Sequence, residues 1–341
     1  MVTIKEIAER SGVSIATVSK IINGKDKHIS EETRRRVKDV LRDTGYVSNA
    51  IARGLKIRKT FTLGYVLPDI TNPFFAGLAR GIEDLARDRD YSVIMCNTDN
   101  DPEIEERSIK LFKSHKVDGI LCSNIVSSNI GERGVQYYRD LLGDIPTVFL
   151  DHVGLESDVT RFGYVQVDSL NAIYKGTKAL LDAGCKRVAC ITASQMESCM
   201  RINGYYAALE EAGIARDNRI VYVNGFSLET GTVGIRKIME NDPTIDGLMC
   251  GNDMIAVGAI GYLNKIGVQI PEQIKIVGID NIPISEHVTP KLTTVAQPIY
   301  EMGWEAANML VNYIEDGIPL FTKTFEAHLI ERETLKLQNV N

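Results

Sequence analysis

Side chains that could bind a small polar ligand follow the apolar runs of this sequence. Asn72, Phe74 and Phe75 lie in PDITNPFF, at the end of the run FTLGYVLP, while Asp151 and His152 follow PTVFL. Aromatic rings can stack on the C–H faces of a sugar, and amide or carboxylate oxygens can bond its hydroxyl groups. These residues therefore predict a site for a hydroxyl-rich molecule.

The same chemistry recurs in the second half of the chain. Arg201 stands near the start of a predicted helix, Asn252 lies in CGND, and Asp280 lies in VGIDN. A guanidinium or a carboxylate can hold hydroxyl groups through two hydrogen bonds. Less specific roles remain open, because Asn252 and Asp253 could cap a helix and Asp280 could cap a helix or turn. His152 could equally be a pocket wall or an ordinary surface residue.

No arrangement of residues predicts catalysis or metal binding. The motifs GxSxG, HExxH and Walker A are missing, and no Ser, His and Asp have a spacing that requires a triad. The six cysteines form no CxxC and have no His at ligand spacing, which favours free thiols over a disulfide framework or a zinc site. We expect no enzyme activity, no cofactor and no metal.

Alternating strands and helices must position the candidate ligand-binding residues. Strands are predicted in FTLGYVLP, YSVIMCN, VDGILCS, PTVFLD, RVACIT, DGLMCG and IKIVGID, with helices at 73–89, 102–115, 168–184, 200–213, 228–240 and 252–266. This alternation predicts parallel sheets covered on both faces, with ligands at the carboxyl ends of the strands. The units are too many for one sheet, so we expect two lobes with crossings near 165, 290 and 325. Asp69 is expected to be a turn residue.

The first sixty residues have a different pattern, that of three short helices. Thr3 and Glu6 have the spacing of a capping box, Ser14 and Ser30 can cap the next two helices, and Gly12 can make the first turn. Two helices joined by a brief turn containing Gly predict a helix-turn-helix. The second helix, which begins near Ser14, would carry short side chains on its outer face, as a helix lying in the major groove requires.

The segment TIKEIAERSGVSIATVSKIING resembles the N-terminal signature of the lac repressor (LacI/GalR) family of bacterial transcription regulators. The resemblance places Ile15, Ala16 and Lys20 at the main major-groove positions, although many members have Arg where this chain has Lys20. It also implies a hinge helix in YVSNAIARGLKIRKT, with Leu55 as a wedge between base pairs, although Ser48 stands where Pro is usual. The DNA-binding residues expected across the head and hinge are Thr3, Ser14, Ile15, Ala16, Thr17, Ser19, Lys20, Asn23, Ser30, Asn49, Ala52, Arg53, Leu55 and Lys56.

The resemblance extends over the rest of the chain, where it implies the fold of periplasmic sugar-binding proteins. It places Phe74, Phe75 and Phe226 at aromatic pocket positions, Arg201 at an effector clamp, and Asp280 at an acceptor of ligand hydroxyls. The full effector-binding set expected is Asn72, Phe74, Phe75, Asp151, His152, Arg201, Phe226, Asn252 and Asp280.

The expected fold class is an all-α helix-turn-helix headpiece plus an α/β two-lobed periplasmic-binding-protein-like effector domain. Its boundaries would be 1–47 for the headpiece, 48–60 for the hinge and linker, and 61–341 for the effector domain. Within this domain, the N-lobe would comprise about 61–164 and 292–324, and the C-lobe about 165–291 and 325–341.

The distribution of charge along the chain supports a DNA-binding headpiece and a separate effector domain. Residues 1–60 carry 14 Lys and Arg against 7 Asp and Glu, whereas residues 61–341 carry 25 against 38. A basic head on an acidic body favours DNA binding by the head alone. No apolar run approaches the roughly 20 residues of a membrane span, and the start lacks a secretory signal, so a cytoplasmic protein is expected.

The resemblance thus implies a homodimeric regulator, a repressor of carbohydrate uptake or catabolism genes, that binds a pseudo-palindromic operator. Its effector would be a small sugar, sugar acid or sugar phosphate. The alternative is a global catabolite regulator with a phosphorylated carrier protein as co-repressor. The segments LARGIEDLA and QPIYEMG resemble that subgroup, but Asn308 stands where its phosphate-binding Arg is expected. An exported sugar-binding protein and an enzyme with a regulatory head fit less well.

Overall fold

The chain forms two compact units, Met1–Thr60 and Phe61–Asn341. The computed structural model describes residues 2–22, 26–46, 59–123, 132–151, 162–193 and 196–335. Gly12 ends the first helix with a positive φ angle of 63°, as predicted for the first turn, and Gly45 ends the third helix with a φ angle of 60°.

The described residues of the first unit form three helices, α1 (Ile4–Ser11), α2 (Ile15–Ile22) and α3 (Glu31–Thr44). The predicted capping box is present, because Thr3 N–H donates to Glu6 and Glu6 N–H donates to Thr3 Oγ1. Ser14 and Ser30 each accept an N–H of the helix that follows. The buried hydrophobic residues of this unit lie on the inner faces of the helices and form one small core: Ile7, Ala8, Val18, Ile21 and Val37.

In the described part of the second unit, the strands form two six-stranded sheets, each the base of one lobe. The first sheet has the order β11-β5-β4-β3-β1-β2 and the second β12-β10-β9-β8-β6-β7. The strands of the first sheet are β1 (Thr62–Leu67), β2 (Ser92–Asn97), β3 (Gly119–Cys122), β4 (Thr147–Leu150), β5 (Phe162–Val167) and β11 (Thr322–Phe325). Those of the second are β6 (Val188–Ala193), β7 (Val221–Asn224), β8 (Gly247–Cys250), β9 (Lys275–Asp280), β10 (Thr293–Ala296) and β12 (His328–Ile330).

All described strand pairs are parallel except β10 with β12, and the inner strands β3, β4, β5, β6 and β8 are buried throughout. Helices cover both sheets, as expected for parallel strands. They are α4 (Pro73–Asp88), α5 (Pro102–His115), α6 (Glu132–Leu142), α7 (Ser169–Asp182), α8 (Met196–Glu211), α9 (Leu228–Asn241), α10 (Asp253–Lys265) and α11 (Ile299–Asp316).

The sheet to which each strand belongs locates the crossings of the chain between the lobes. All of β5 belongs to the first sheet, so the chain crosses after Val167, a few residues beyond the predicted 165. The strand β10 pairs with β9 in the second sheet, so the return to the first lobe comes with α11 and not at 292. The third crossing lies between Phe325 and His328, close to the predicted position. The short segment Thr293–Ala296 was not predicted as a strand, which explains the early boundary.

Candidate functional site

A cavity of about 600 Å³ lies between the two lobes, at the carboxyl ends of their strands. This is the position expected for a ligand site in parallel α/β sheets. Eight of the nine predicted effector-binding residues line it: Asn72, Phe74, Phe75, Asp151, Arg201, Phe226, Asn252 and Asp280. The ninth, His152, lies outside the described residues.

One wall is formed where β1 leads into α4. Asn72 caps this helix, since its Oδ1 accepts from Phe74 N–H at 3.1 Å, while Pro73 fits the first helical position. Phe74 and Phe75 follow at once, and their ring centroids are 5.2 Å apart in an edge-to-face arrangement. Both residues line the cavity, and their rings suit contact with apolar faces of a ligand.

Arg201 lies on α8 in the second lobe, and its guanidinium has contacts with three groups. Its Nη1 donates to the Gly251 carbonyl at 2.7 Å, and its Nη2 lies 3.7 Å from Asp151 Oδ2. The guanidinium carbon is also 4.8 Å from the centroid of the Phe226 ring. Because Asp151 belongs to the first lobe and Arg201 to the second, this ion pair crosses the cleft.

Asp280 enters the cavity at the end of β9 through an unusual backbone. It has a φ of 113° and the next residue, Asn281, has a φ of 60°, both in the region that favours glycine. The Asp280 Oδ1 accepts from Gln297 Nε2 at 2.7 Å. Gln297 follows β10 at the second crossing between lobes, so Asp280 is tied to a segment that joins them.

Asn252 both caps a helix and lines the cavity, so the two roles left open by the sequence coexist. Its Oδ1 accepts from Ile255 N–H at 2.9 Å at the start of α10. The neighbouring Asp253 points elsewhere and is fully buried, where it accepts from Thr294 Oγ1 at 2.6 Å and Ile282 N–H at 3.0 Å. Burial raises the pKa of Asp253 to about 7, although these two donors favour its carboxylate.

Several lining residues were not predicted as ligand-binding residues. Asp69 is a turn residue as expected, accepting from Thr71 N–H at 2.8 Å, but it also lines the cavity. Asn224 also lines the cavity, at the end of β7, a strand that the sequence pattern did not predict. Other lining residues come from both lobes: Pro68, Thr71, Asn100, Ala193, Gly225, Ser227, Leu228, Glu229 and Met254.

The outer face of α2 in the first unit is exposed at the predicted major-groove positions. Ile15 is 48% exposed, and Ala16 and Lys20 are also exposed, while Thr17 and Ser19 are half-buried. Thr3, Ser14 and Ser30 serve as helix caps, because each side-chain oxygen accepts a backbone N–H of the helix that follows. These side chains therefore stabilise the helices whether or not they contact DNA. Asn23, Asn49, Ala52, Arg53, Leu55 and Lys56 lie outside the described residues.

Within the part of the chain that the structure describes, no cluster of three or more His, Cys, Asp or Glu is placed to hold a metal ion. Across the same residues, no helix has both the length and the apolar character needed to cross a bilayer.

Comparisons with known proteins agree with this organisation. Residues 3–49 match the family "Bacterial regulatory proteins, lacI family", and residues 60–337 match "Periplasmic binding proteins and sugar binding domain of LacI family". The HTH-type transcriptional regulator RegA of Clostridium saccharobutylicum is 33% identical over 97% of this chain and 98% of its own length. Catabolite control protein A of Priestia megaterium is 31% identical over 92% of each chain.

A solved structure shows the same fold. The LacI family transcriptional regulator from Enterococcus faecium, determined with bound ribose, has 28% identity and a TM-score of 0.70, covering 82% of this chain and all of its own. The chain belongs to the LacI family of DNA-binding transcriptional regulators, and the relatives named here are regulators and not enzymes. The predicted family and fold class are confirmed.

Proposed function

We propose that this protein is a homodimeric repressor of carbohydrate genes that is switched by a small sugar in the cleft between its lobes. The observation that supports this best is the cleft lining, where Phe74, Phe75 and Phe226 combine with Arg201 and Asp280. Aromatic faces with a few directed polar groups are the usual composition of a sugar-sized site. The ribose reported in the Enterococcus faecium regulator supports the same ligand class.

DNA binding is proposed for the face of α2 that carries Ile15, Ala16 and Lys20. Small exposed side chains let a helix approach base edges closely, and a lysine can reach a guanine edge or a phosphate. Two copies of the chain would read a pseudo-palindromic operator, because a twofold dimer presents two equivalent helices. A cytoplasmic location, where such DNA lies, belongs to this proposal.

The switch is proposed to act through the lobes. Since residues from both lobes line the cleft, a ligand that bonds both favours one interlobe angle over others. The hydrogen bond from Gln297 to Asp280 connects the ligand site with a crossing segment, which gives the ligand a direct way to influence that angle. The hinge residues expected to respond, including Leu55, lie outside the described residues.

A second candidate is a catabolite regulator that binds a phosphorylated carrier protein. The two segments that resemble this subgroup lie on α4 and α11, which pack closely because Gly81 leaves room for the Tyr300 carbonyl. Tyr300 and Trp304 are exposed beside them, at 42% and 37%. Asn308 is a half-buried amide that accepts from Asn312 Nδ2 at 3.2 Å, and it offers no charge to a phosphate.

The test is operator binding by the purified full chain, with DNA selected from a random pool and binding followed by fluorescence anisotropy. Lys20→Ala should weaken specific binding by about 1–3 kcal/mol if Lys20 reads a base edge. Lys38→Ala removes the same charge from an exposed position of α3 and is the matched control. Selection of no preferred sequence, or equal losses in both variants, would contradict the proposed role of α2.

Ligand control is tested by adding sugars to the protein–DNA complex. A change in DNA affinity with ribose, glucose or cellobiose supports the sugar switch. A response only to a phosphorylated carrier protein would support the second candidate instead.

A further inference from the structure

The described lining of the cleft has an excess of negative charge. Asp69 and Asp151 come from the first lobe, and Glu229 and Asp280 come from the second, whereas Arg201 is the one cationic side chain among these lining residues. Asp151 and Asp280 are buried, so their charges are poorly screened by solvent. A phosphate or carboxylate in the cavity would meet more like charge than opposite charge.

The single cation among these residues is already engaged. Arg201 is 4% exposed, donates to the Gly251 carbonyl, and lies against both Asp151 and the Phe226 ring. An anionic ligand could use this guanidinium only in competition with the Asp151 carboxylate. Hydroxyl groups, in contrast, can bond the carboxylates without displacing them, because a hydroxyl both donates and accepts.

Helix N-termini could offset the negative charge, and three of them, those of α4, α9 and α10, border the cleft. Free N–H groups at such ends favour anions. Each end, however, already donates an N–H to its own cap, Asn72, Ser227 or Asn252.

Two of these ends carry further features that disfavour an anion. Pro73 at the start of α4 has no N–H, and Glu229 in the first turn of α9 supplies a carboxylate where an anion would be favoured. The partial positive charges of these helix ends are therefore offset by the caps and by Glu229, and they do not reverse the excess of negative charge in the cleft.

We infer that the cleft selects an uncharged, hydroxyl-rich ligand and discriminates against the phosphorylated and carboxylated forms of the same compound. This inference rests on the proposed sugar-binding role of the cleft. It narrows the three ligand classes expected from the sequence to one. It also identifies Glu229, an exposed residue at the cleft, as a determinant of the discrimination against anions.

The test compares matched compounds on the purified full chain at fixed pH and ionic strength. Calorimetry and thermal shift are measured with ribose and ribose 5-phosphate, and with glucose, glucose 6-phosphate and glucuronate. Cellobiose is included as a larger uncharged compound. We expect an uncharged compound to bind and its anionic form to bind at least about tenfold more weakly, as one or two unit charges at close range imply.

A charge-reversal pair separates the role of Glu229 from a general effect of charge. Glu229→Lys should reduce the discrimination between an uncharged sugar and its phosphate by about tenfold. Glu240→Lys makes the same change at the other end of α9, at an exposed position outside the cavity lining. The two positions are eleven residues apart, about 16 Å along a helix, which exceeds the Debye length of about 8 Å at physiological salt. The control variant should therefore keep the discrimination of the wild type.

The outcomes distinguish this inference from the proposed function. Binding of uncharged compounds alone, with loss of discrimination in Glu229→Lys only, supports it. A phosphate or glucuronate that binds as tightly as its uncharged parent overturns the inference and leaves the sugar switch intact. Binding of no compound contradicts the sugar switch and this inference together.

Discussion

Arg201 and Asp151 form a buried ion pair across the cleft, and their side chains are only 5% and 10% exposed. Such a pair contributes little net stability, but loss of one partner leaves the other charge buried and costs about 3–5 kcal/mol. The pair therefore has two consequences. It positions a guanidinium toward the ligand, and it adds a charged contact between the two lobes.

Arg201→Ala should lower the free energy of unfolding of the effector domain by about 3 kcal/mol, because Asp151 loses its cation. The variant should also lose stabilisation by an uncharged sugar while it keeps DNA binding, which belongs to the other unit. Urea unfolding with and without the sugar, together with anisotropy on selected DNA, measures both effects. Arg216→Ala is the control, since Arg216 is 58% exposed and its ion pair with Glu210 should contribute below about 1 kcal/mol. Normal sugar binding in Arg201→Ala would remove this residue from the ligand site.

The raised pKa of Asp253 predicts that the free energy of unfolding of the protein falls as the pH rises. Its folded-state pKa of about 7 lies above the unfolded value of about 3.9. Between these values the folded chain binds more protons, so the contribution of Asp253 to the free energy of unfolding falls as pH rises from about 4 to 7. Asp253→Asn cannot titrate, and its amide can still accept from Ile282 N–H.

The free energy of unfolding of Asp253→Asn should therefore vary less with pH than that of the wild type over this range. Urea unfolding at several pH values measures the two slopes. Asp182→Asn, the same chemical change at an exposed position of α7, should keep the slope of the wild type. Parallel curves for Asp253→Asn and the wild type would contradict the argument.

Single residues show why the sequence predicts the cleft only in part. Asn72, Asp151, Asn252 and Asp280 could be found because each follows an apolar strand, and strand ends converge in this fold. Glu229 gives no such signal, since an acid in the first turn of a helix is common on any surface. Its place in the cleft depends on how β7 and α9 pack, which local pattern does not encode.

Among the elements, helices α9 and α10 pack so closely that backbone meets backbone. A Cβ on Gly231 would lie 2.0 Å from the Ile255 carbonyl oxygen, and one on Gly258 would lie 2.0 Å from the Leu228 carbonyl oxygen. No real Cβ can approach so near, so a side chain at either position must separate the helices. Both helices begin at the cleft, with Leu228 and Asn252 among its lining residues, so their separation would also disturb the ligand site.

Gly231→Ala should accordingly destabilise the effector domain by about 1–3 kcal/mol or more through overpacking. Gly261→Ala is the matched control on α10, because a Cβ there would have nothing within 4 Å. It should be neutral or stabilising by up to about 1 kcal/mol, since Ala is a better helix former than Gly. Thermal unfolding of both variants measures the difference, and equal effects would show that the helices can separate at little cost.

The elements that were predicted and those that were missed differ in length and pattern. Long amphipathic helices such as α5 and apolar strands such as β9 matched their predicted ranges within a few residues. The strands β5, β7 and β10 were missed because FGYVQV, VYVN and TTVA mix polar with apolar residues. A buried strand can contain Thr or Gln when neighbouring residues form hydrogen bonds with their polar atoms. Those neighbours are set by tertiary contacts, which the local sequence pattern does not show.

At the scale of the whole molecule, charge and chemistry are divided between the two units. The basic first sixty residues carry the exposed face of α2, while the acidic remainder carries the cleft. A polyanion such as DNA is attracted to the first unit and repelled by the second. The two ligands of the proposed switch therefore have separate sites, and any effect of one on the other must be a coupling free energy through the chain.

That coupling must be reciprocal. If filling both clefts of the proposed dimer with sugar changes the affinity for selected DNA by some factor, bound DNA must change the sugar affinities of the two clefts by factors whose product equals it, each about 5- to 150-fold for typical coupling energies. Anisotropy with and without saturating sugar gives the first factor, and calorimetry with and without saturating DNA gives the second. Because Arg201→Ala should not bind the sugar, sugar should leave its DNA affinity unchanged, whereas Arg216→Ala should reproduce both factors of the wild type. A DNA-affinity factor that differs from this product in the wild type would mean that the sugar acts at some further site or changes the assembly of the protein, because binding equilibria at the two clefts and the operator of one dimer must obey this relation.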